Sequence, residues 1–223
     1  MKKLFYTLTL LLTASLLFTS CKNDDDNYPP GIGNPTPTTD PGVLIGYIYG
    51  EPIRWATRNV NTPGTFAAYP HSAGRLFQWG TLNGVTHHLD NTTSGAIDDW
   101  YNQTTAENRV AWTPANDPCP TGWRVPTQAE LTALHAAGVG DWTKLSGVNG
   151  RWFGTATNRI FLPAAGWRSW NTGALGSVGF SGFYWGNAQN DSSSALRLWF
   201  GSGFSNVGSG SRSSGFSVRC VVK

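Results

Sequence analysis

Apolar and polar residues alternate with a period of two over several short stretches of this 223-residue chain, the pattern of half-buried β-strands. Ala195 to Phe200 alternates best. It puts Leu196, Leu198 and Phe200 on one face, read as core, and Arg197 and Trp199 on the other. Phe216 to Val222 places Phe216, Val218 and Cys220 opposite Ser217, Arg219 and Val221, while Val43 to Tyr49 alternates weakly and Ile160 to Leu162 is a short apolar run. A helical period is clear after Pro126. Thr127 stands as N-cap with Glu130 three residues on, a capping box that satisfies two otherwise orphan amides. Leu131, Leu134 and His135 then share a face, and Gly138 is placed to end the helix. A second, weaker helix is expected over Ile97 to Tyr101 and Thr105 to Arg109. Glycines and serines crowd the chain between Asn171 and Gly215 around short aromatic runs, which reads as antiparallel strands joined by tight turns.

The two ends change the picture. Lys2 and Lys3 precede an apolar run from Leu4 to Phe18, too short for an obvious spanning helix and shaped like a secretory signal. Phe18-Thr19-Ser20-Cys21 resembles the bacterial lipobox, which implies cleavage after residue 20 and a lipid on Cys21; an ordinary cleaved signal with an incidental cysteine is the alternative. The acidic run Asp24-Asp25-Asp26 after it resembles the surface-export signal of Bacteroidetes-type lipoproteins. That implies an outer-membrane lipoprotein exposed at the cell surface, with a periplasm-facing anchor as the alternative. Tyr28 to Gly42 carries five prolines and three glycines and suits a semi-rigid spacer. The division is therefore signal peptide at 1–20, lipidated cysteine and tether at 21–42, and one folded domain at 43–223.

The folded span holds 13 Lys and Arg against 9 Asp and Glu, a charge of 13 − 9 = +4, with no block of bases, so a nucleic-acid partner is not expected. All 11 tryptophans lie in it, and with low charge they argue for a loop-rich, strand-rich domain. With Cys21 assigned to the anchor, Cys119 and Cys220 remain as an even pair in an oxidising compartment. A disulfide is expected there, and two free buried thiols are the alternative.

Asp117-Pro118-Cys119-Pro120-Thr121-Gly122-Trp123-Arg124-Val125-Pro126-Thr127-Gln128-Ala129-Glu130-Leu131 resembles the signature of the Fibrobacter succinogenes major paralogous domain family. Trp55-Ala56-Thr57-Arg58-Asn59-Val60, Gly74 to Trp79, Phe161 to Arg168, Gly182 to Trp185 and Gly215 to Val221 match in the same order. Trp123 through Leu131 is also similar to the helix start of the formylglycine-generating enzymes, whose fold is related to C-type lectins. The resemblance implies an α+β, C-type-lectin-like fold: a twisted antiparallel sheet, one or two helices and long loops rich in Gly, Ser and Trp. It implies no particular activity. The lectin triplets Glu-Pro-Asn, Gln-Pro-Asp and Trp-Asn-Asp do not occur, since Glu51-Pro52 is followed by Ile53.

Catalytic candidates are few. His71, His87, His88 and His135 are badly spaced for zinc, and no nucleophile elbow, phosphate loop or spaced carboxylate pair stands out. Asp98-Asp99 reads as a helix start. Asn187-Ala188-Gln189-Asn190-Asp191 sets four oxygen-bearing side chains in five residues, a hairpin turn by default and a calcium or ligand loop as the alternative. No cofactor is expected otherwise. Trp170 and Trp199 are the tryptophans hardest to bury, and beside Arg197, Asn187, Asn190 and Asp191 they form the candidate ligand face. The expectation is a non-catalytic binding or adhesion module for a glycan or surface protein. An enzyme of formylglycine-generating type, an unrecognised hydrolase and a structural subunit of a surface assembly are the rivals.

Overall fold

The computed structural model describes residues 38–82, 84–86, 95–100 and 111–223. The signal segment, Cys21, most of the tether, His87, His88 and the expected helix over 105–109 lie outside them.

The chain opens with β1 (Val43–Ile48), β2 (Glu51–Trp55), β3 (Arg75–Gln78), β4 (Gly84–Thr86) and β5 (Trp123–Arg124). Helix α1 (Gln128–Ala136) follows, then β6 (Val139–Leu145), β7 (Val148–Gly154), β8 (Arg159–Pro163), β9 (Trp167–Arg168) and β10 (Leu175–Gly176). The last part holds β11 (Ser181–Gln189), β12 (Ser194–Gly201), β13 (Ser205–Ser211), β14 (Gly215–Phe216) and β15 (Val221–Val222). They form four small antiparallel sheets, ordered β1-β2-β15-β5, β10-β9-β14-β3-β4, β11-β12-β13 and β6-β7-β8.

Strand makes up 44% of the structure and helix 5%, which corrects the expected α+β balance to a mostly β fold, and no C-type-lectin-like match accompanies it. The physical reasons are local. Ile97 to Trp100 forms a turn with Asp99 at φ 57°, a left-handed conformation that no helix accommodates, so Asp98-Asp99 is not a helix start. One large twisted sheet is replaced by four, and the two that would have to join the others hold strands of only two to four residues, β5 and β15 in one and β3, β4, β9, β10 and β14 in the other. Register shifts also interrupt β1 between Leu44 and Tyr47, β6 between Val139 and Trp142, and β11 between Trp185 and Gln189.

Helix α1 forms where the capping box requires it. Thr127 Oγ1 accepts the Glu130 amide at 3.2 Å, and the Glu130 carboxylate accepts the Thr127 amide at 2.7 Å. Arg124 grips the same carboxylate through two bonds of 2.6 and 2.7 Å. Leu131 and Leu134 bury against a core that holds Ile45, Trp55, Phe153, Ile160, Tyr184, Leu198 and Phe200. A second core gathers Val60, Phe77, Trp79, Trp123, Trp185, Phe216, Val218 and the Cys119–Cys220 disulfide. Sheet β11-β12-β13 faces both, since Tyr184 and Leu198 point one way and Trp185 and Ala195 the other.

The expected strand from Phe216 to Val222 is instead two short ones, β14 and β15, in different sheets. Between them the Val218 and Cys220 carbonyls accept the Val60 and Ala56 amides, and the Ser217 carbonyl accepts the Trp185 amide. The segment threads the centre of the fold, so Ser217 and Arg219 are buried along with Phe216 and Val218. Four arginines are fully buried in this interior. Arg219 donates to Asn59 Oδ1 and the Ala56 and Phe161 carbonyls, Arg168 to the Gly173 carbonyl, and Arg212 to the Ser192 carbonyl. Arg58 donates to the Ala67 carbonyl and meets the buried Asp40 carboxylate at 3.2 Å, which docks the end of the Pro-rich segment onto the domain. A guanidinium with five donors suits this work, because it can join carbonyls from several separate segments at once.

Candidate functional site

Arg197 departs from this pattern. It sits on β12, on the side of the β11-β12-β13 sheet away from Leu196, Leu198 and Phe200, as the alternation predicts. Across the sheet it faces Trp185 on β11 and Gly208 on β13, while Trp199 faces Phe183 and Asn206. Its guanidinium carbon lies 4.1 Å from the Trp199 ring centre, 5.3 Å from Phe183 and 5.6 Å from Phe216, so three rings surround one cation. Nε and Nη1 are buried with no hydrogen-bond acceptor. Every other buried or half-buried arginine among the described residues donates at least one hydrogen bond to a carbonyl or carboxylate. Burial pushes the Arg197 guanidinium down to about 10, which leaves it cationic at neutral pH.

Missing side chains make room for this cluster. A Cβ at Gly210 would stand 2.4 Å from Arg197 Nε and 3.0 Å from Phe216, and one at Gly208 would stand 2.8 Å from Trp199 Cζ3. At Gly201, on the same face of β12, a Cβ would meet the Phe204 ring at 2.6 Å. Part of the glycine-rich composition therefore builds a floor for rings. Phe183 stacks on Phe216 at 5.1 Å and lies 6.5 Å from Trp167, which extends the aromatic row. Phe183, Trp167 and Trp199 are half-buried, Phe204 is 47% exposed, and Phe180, just before β11, is 76% exposed.

The other candidates are placed elsewhere. Trp170 occupies the β9–β10 turn and is 49% exposed. Asn187 lies within β11 rather than in a loop. Its amide donates to the Pro126 carbonyl, and it rims both a groove of about 670 Å³ along α1 and a cavity of about 280 Å³ beside Trp112, Asp117 and Lys223. Asn190 and Asp191 make the β11–β12 turn. One Asp191 oxygen accepts from the Ser193 and Ser194 amides, and the other from the Ser194 hydroxyl at 2.7 Å. The Ser194 hydroxyl and the Ser193 amide hold the Asp191 carboxyl well below the usual carboxylate range. This turn folds on itself through an Asx-type cap. His71 stacks on Tyr69, and His135 Nε2 lies 3.2 Å from the Ser205 carbonyl.

The half-buried and buried carboxylates have structural work. In the 280 Å³ cavity, burial raises Asp117 even though its oxygens accept the Cys119 and Val125 amides. Burial would raise Glu130 as well, but the Arg124 and Thr127 hydrogen bonds outweigh it and the carboxyl titrates below the ordinary value. No group of three or more His, Cys, Asp or Glu side chains that could hold a metal gathers among the described residues.

Arg197 and Trp199 are legible in the sequence from their alternation. Phe183, Phe204 and the glycines beneath the rings are not, because only the β11–β12–β13 register brings them together, and Trp167 joins them from β9 of the neighbouring sheet. The available signal was Gly208 and Gly210 at a spacing of two within a strand-like stretch. Compared with known protein families, with curated proteins and with solved structures, the chain matches none.

Proposed function

We propose that the protein is a non-catalytic binding or adhesion module that meets a glycan on the Arg197–Trp199 face and is carried at the outer membrane surface by a lipid on Cys21. The observation that carries the reading is the aromatic cluster of Trp199, Phe183 and Phe216 around Arg197, continued by Trp167 of the neighbouring sheet beside Phe183 and by Phe204 over Gly201, partly open to solvent over a glycine floor. Rings held rigidly in such a cluster suit the apolar faces of sugar rings, and they lose little side-chain entropy on binding. A monomeric domain rarely leaves such rings open without a use. The anchor half rests on the lipobox-like Cys21 and the acidic run after it. The resemblance to the Fibrobacter succinogenes major paralogous domain family, common on surface lipoproteins, agrees with it. The disulfide occupies Cys119 and Cys220, so the thiol chemistry of a formylglycine-generating enzyme has no free pair in the folded part.

A glycan and peptide array probed with the whole protein tests this, beside Trp199→Ala, Phe204→Ala and Trp170→Ala. Glycan signals lost in the first two variants are expected. Signals unchanged in both, or confined to peptides, would remove the proposed face as a glycan site.

A further inference from the structure

We infer that the ligand of this face is an acidic glycan, a uronic-acid saccharide whose carboxylate is received by Arg197 while its ring packs on Trp199. This rests on the reading of the face as a glycan site and adds the charge of the ligand. Packing against Trp199 covers a flat side of the guanidinium, and with Nε and Nη1 buried it is the edge at Nη2 that stays open to a carboxylate. Nε and Nη1 have no acceptor within the protein, and Nη2, also without one, is the nitrogen that reaches solvent. A half-buried cation with idle donors is costly in the free protein, and an arriving carboxylate offsets that cost.

The surroundings favour one carboxylate over a denser anion. Along this face Arg197 has Ala195 and Trp199 as strand neighbours and Asn206, Gly208 and Gly210 across from them, so no second cation stands in the row. Nucleic acids and heavily sulfated polymers are held by rows of cations, each neutralising one charge. A single guanidinium between rings matches an isolated monovalent group on a mostly apolar ring surface. Exposed Asn206, whose Oδ1 accepts the Val207 amide, keeps its Nδ2 hydrogens available for a sugar hydroxyl beside Trp199.

Calorimetric titration of the whole protein with trigalacturonic acid, its methyl ester, a sulfated trisaccharide and a glutamate-rich peptide tests the inference. The acid is expected to bind about tenfold or more tightly than its ester, the worth of one charge-assisted hydrogen bond, and to weaken with added salt. Arg197→Gln should erase the preference for acid over ester, Arg197→Lys should keep part of it, and Trp199→Ala should weaken both saccharides. Acid and ester bound equally by the unmodified protein would overturn the inference, and so would tighter binding of the sulfated sugar or the peptide. Equal binding that Trp199→Ala abolishes would leave the glycan face standing. No saccharide binding at all would overturn the inference, and the array then decides the face. The acid–ester comparison needs no variant, so it decides even if Arg197→Gln fails to fold.

Discussion

Arg219 and Arg197 are two residues of the same type given opposite tasks. Arg219 is buried and donates to Asn59 Oδ1 and the Ala56 and Phe161 carbonyls, joining three segments far apart in sequence. Arg219→Met would strand those acceptors, and urea unfolding should show a loss of about 3 kcal/mol or more. Arg197 joins nothing by hydrogen bonds, and its replacement should cost much less stability. Gly208→Ala separates shape from charge, because its Cβ would press on Trp199 Cζ3 from 2.8 Å while the half-buried ring can tilt away. Stability should change by no more than about 1 kcal/mol, while saccharide affinity falls severalfold in calorimetry. The alternation of Ala195 to Phe200 made Arg197 and Trp199 legible. Phe183 and Phe216 were not, because ring contacts between strands depend on register, which no single strand pattern carries.

At the scale of elements, α1 was the most legible part because its signals are local. Thr127, Glu130, Leu131 and Leu134 all act within one or two turns. Thr127→Ala should cost about 1 kcal/mol of stability, read by thermal or urea unfolding. Glu130 carries a pH signature. Its folded carboxyl titrates below the ordinary 4.5, so its contribution is complete above that value and is lost as pH falls through the lower, folded one. The melting-temperature difference between the native protein and Glu130→Gln should therefore be flat near neutral pH and shrink below about pH 4. A difference that grows on acidification would contradict the assignment. The final segment was harder to read. Its alternation suggested one strand with two faces, but both faces are buried because its central carbonyls bond to the loop that holds Ala56 and Val60. Alternation reports faces only where one of them meets water.

Over the whole molecule, the expectation of an α+β, lectin-like fold gave way to four small antiparallel sheets. The order of sheets depends on contacts such as Tyr184 with Ser217 and Gly166 with Gly182, isolated parallel bridges that no local pattern announces. The expected Cys119–Cys220 disulfide is present, and its sequence separation of 101 spans the middle of the chain and its last strand. Replacing both cysteines with serine should lower stability by about 2–5 kcal/mol in urea unfolding, since closing so long a loop strongly restricts the unfolded chain. The face around Arg197 should stay intact in that variant under native conditions, because its rings are held by β11, β12 and β14 rather than by the bridge.

Mapping backbone amide shifts of the isotope-labelled protein during titration with trigalacturonic acid tests the site itself. The largest shifts should fall on Phe183, Arg197, Trp199, Asn206 and Gly208. Shifts centred instead on the α1 groove at Thr132 and Ala133, or on the turn at Asn190 and Asp191, would contradict it.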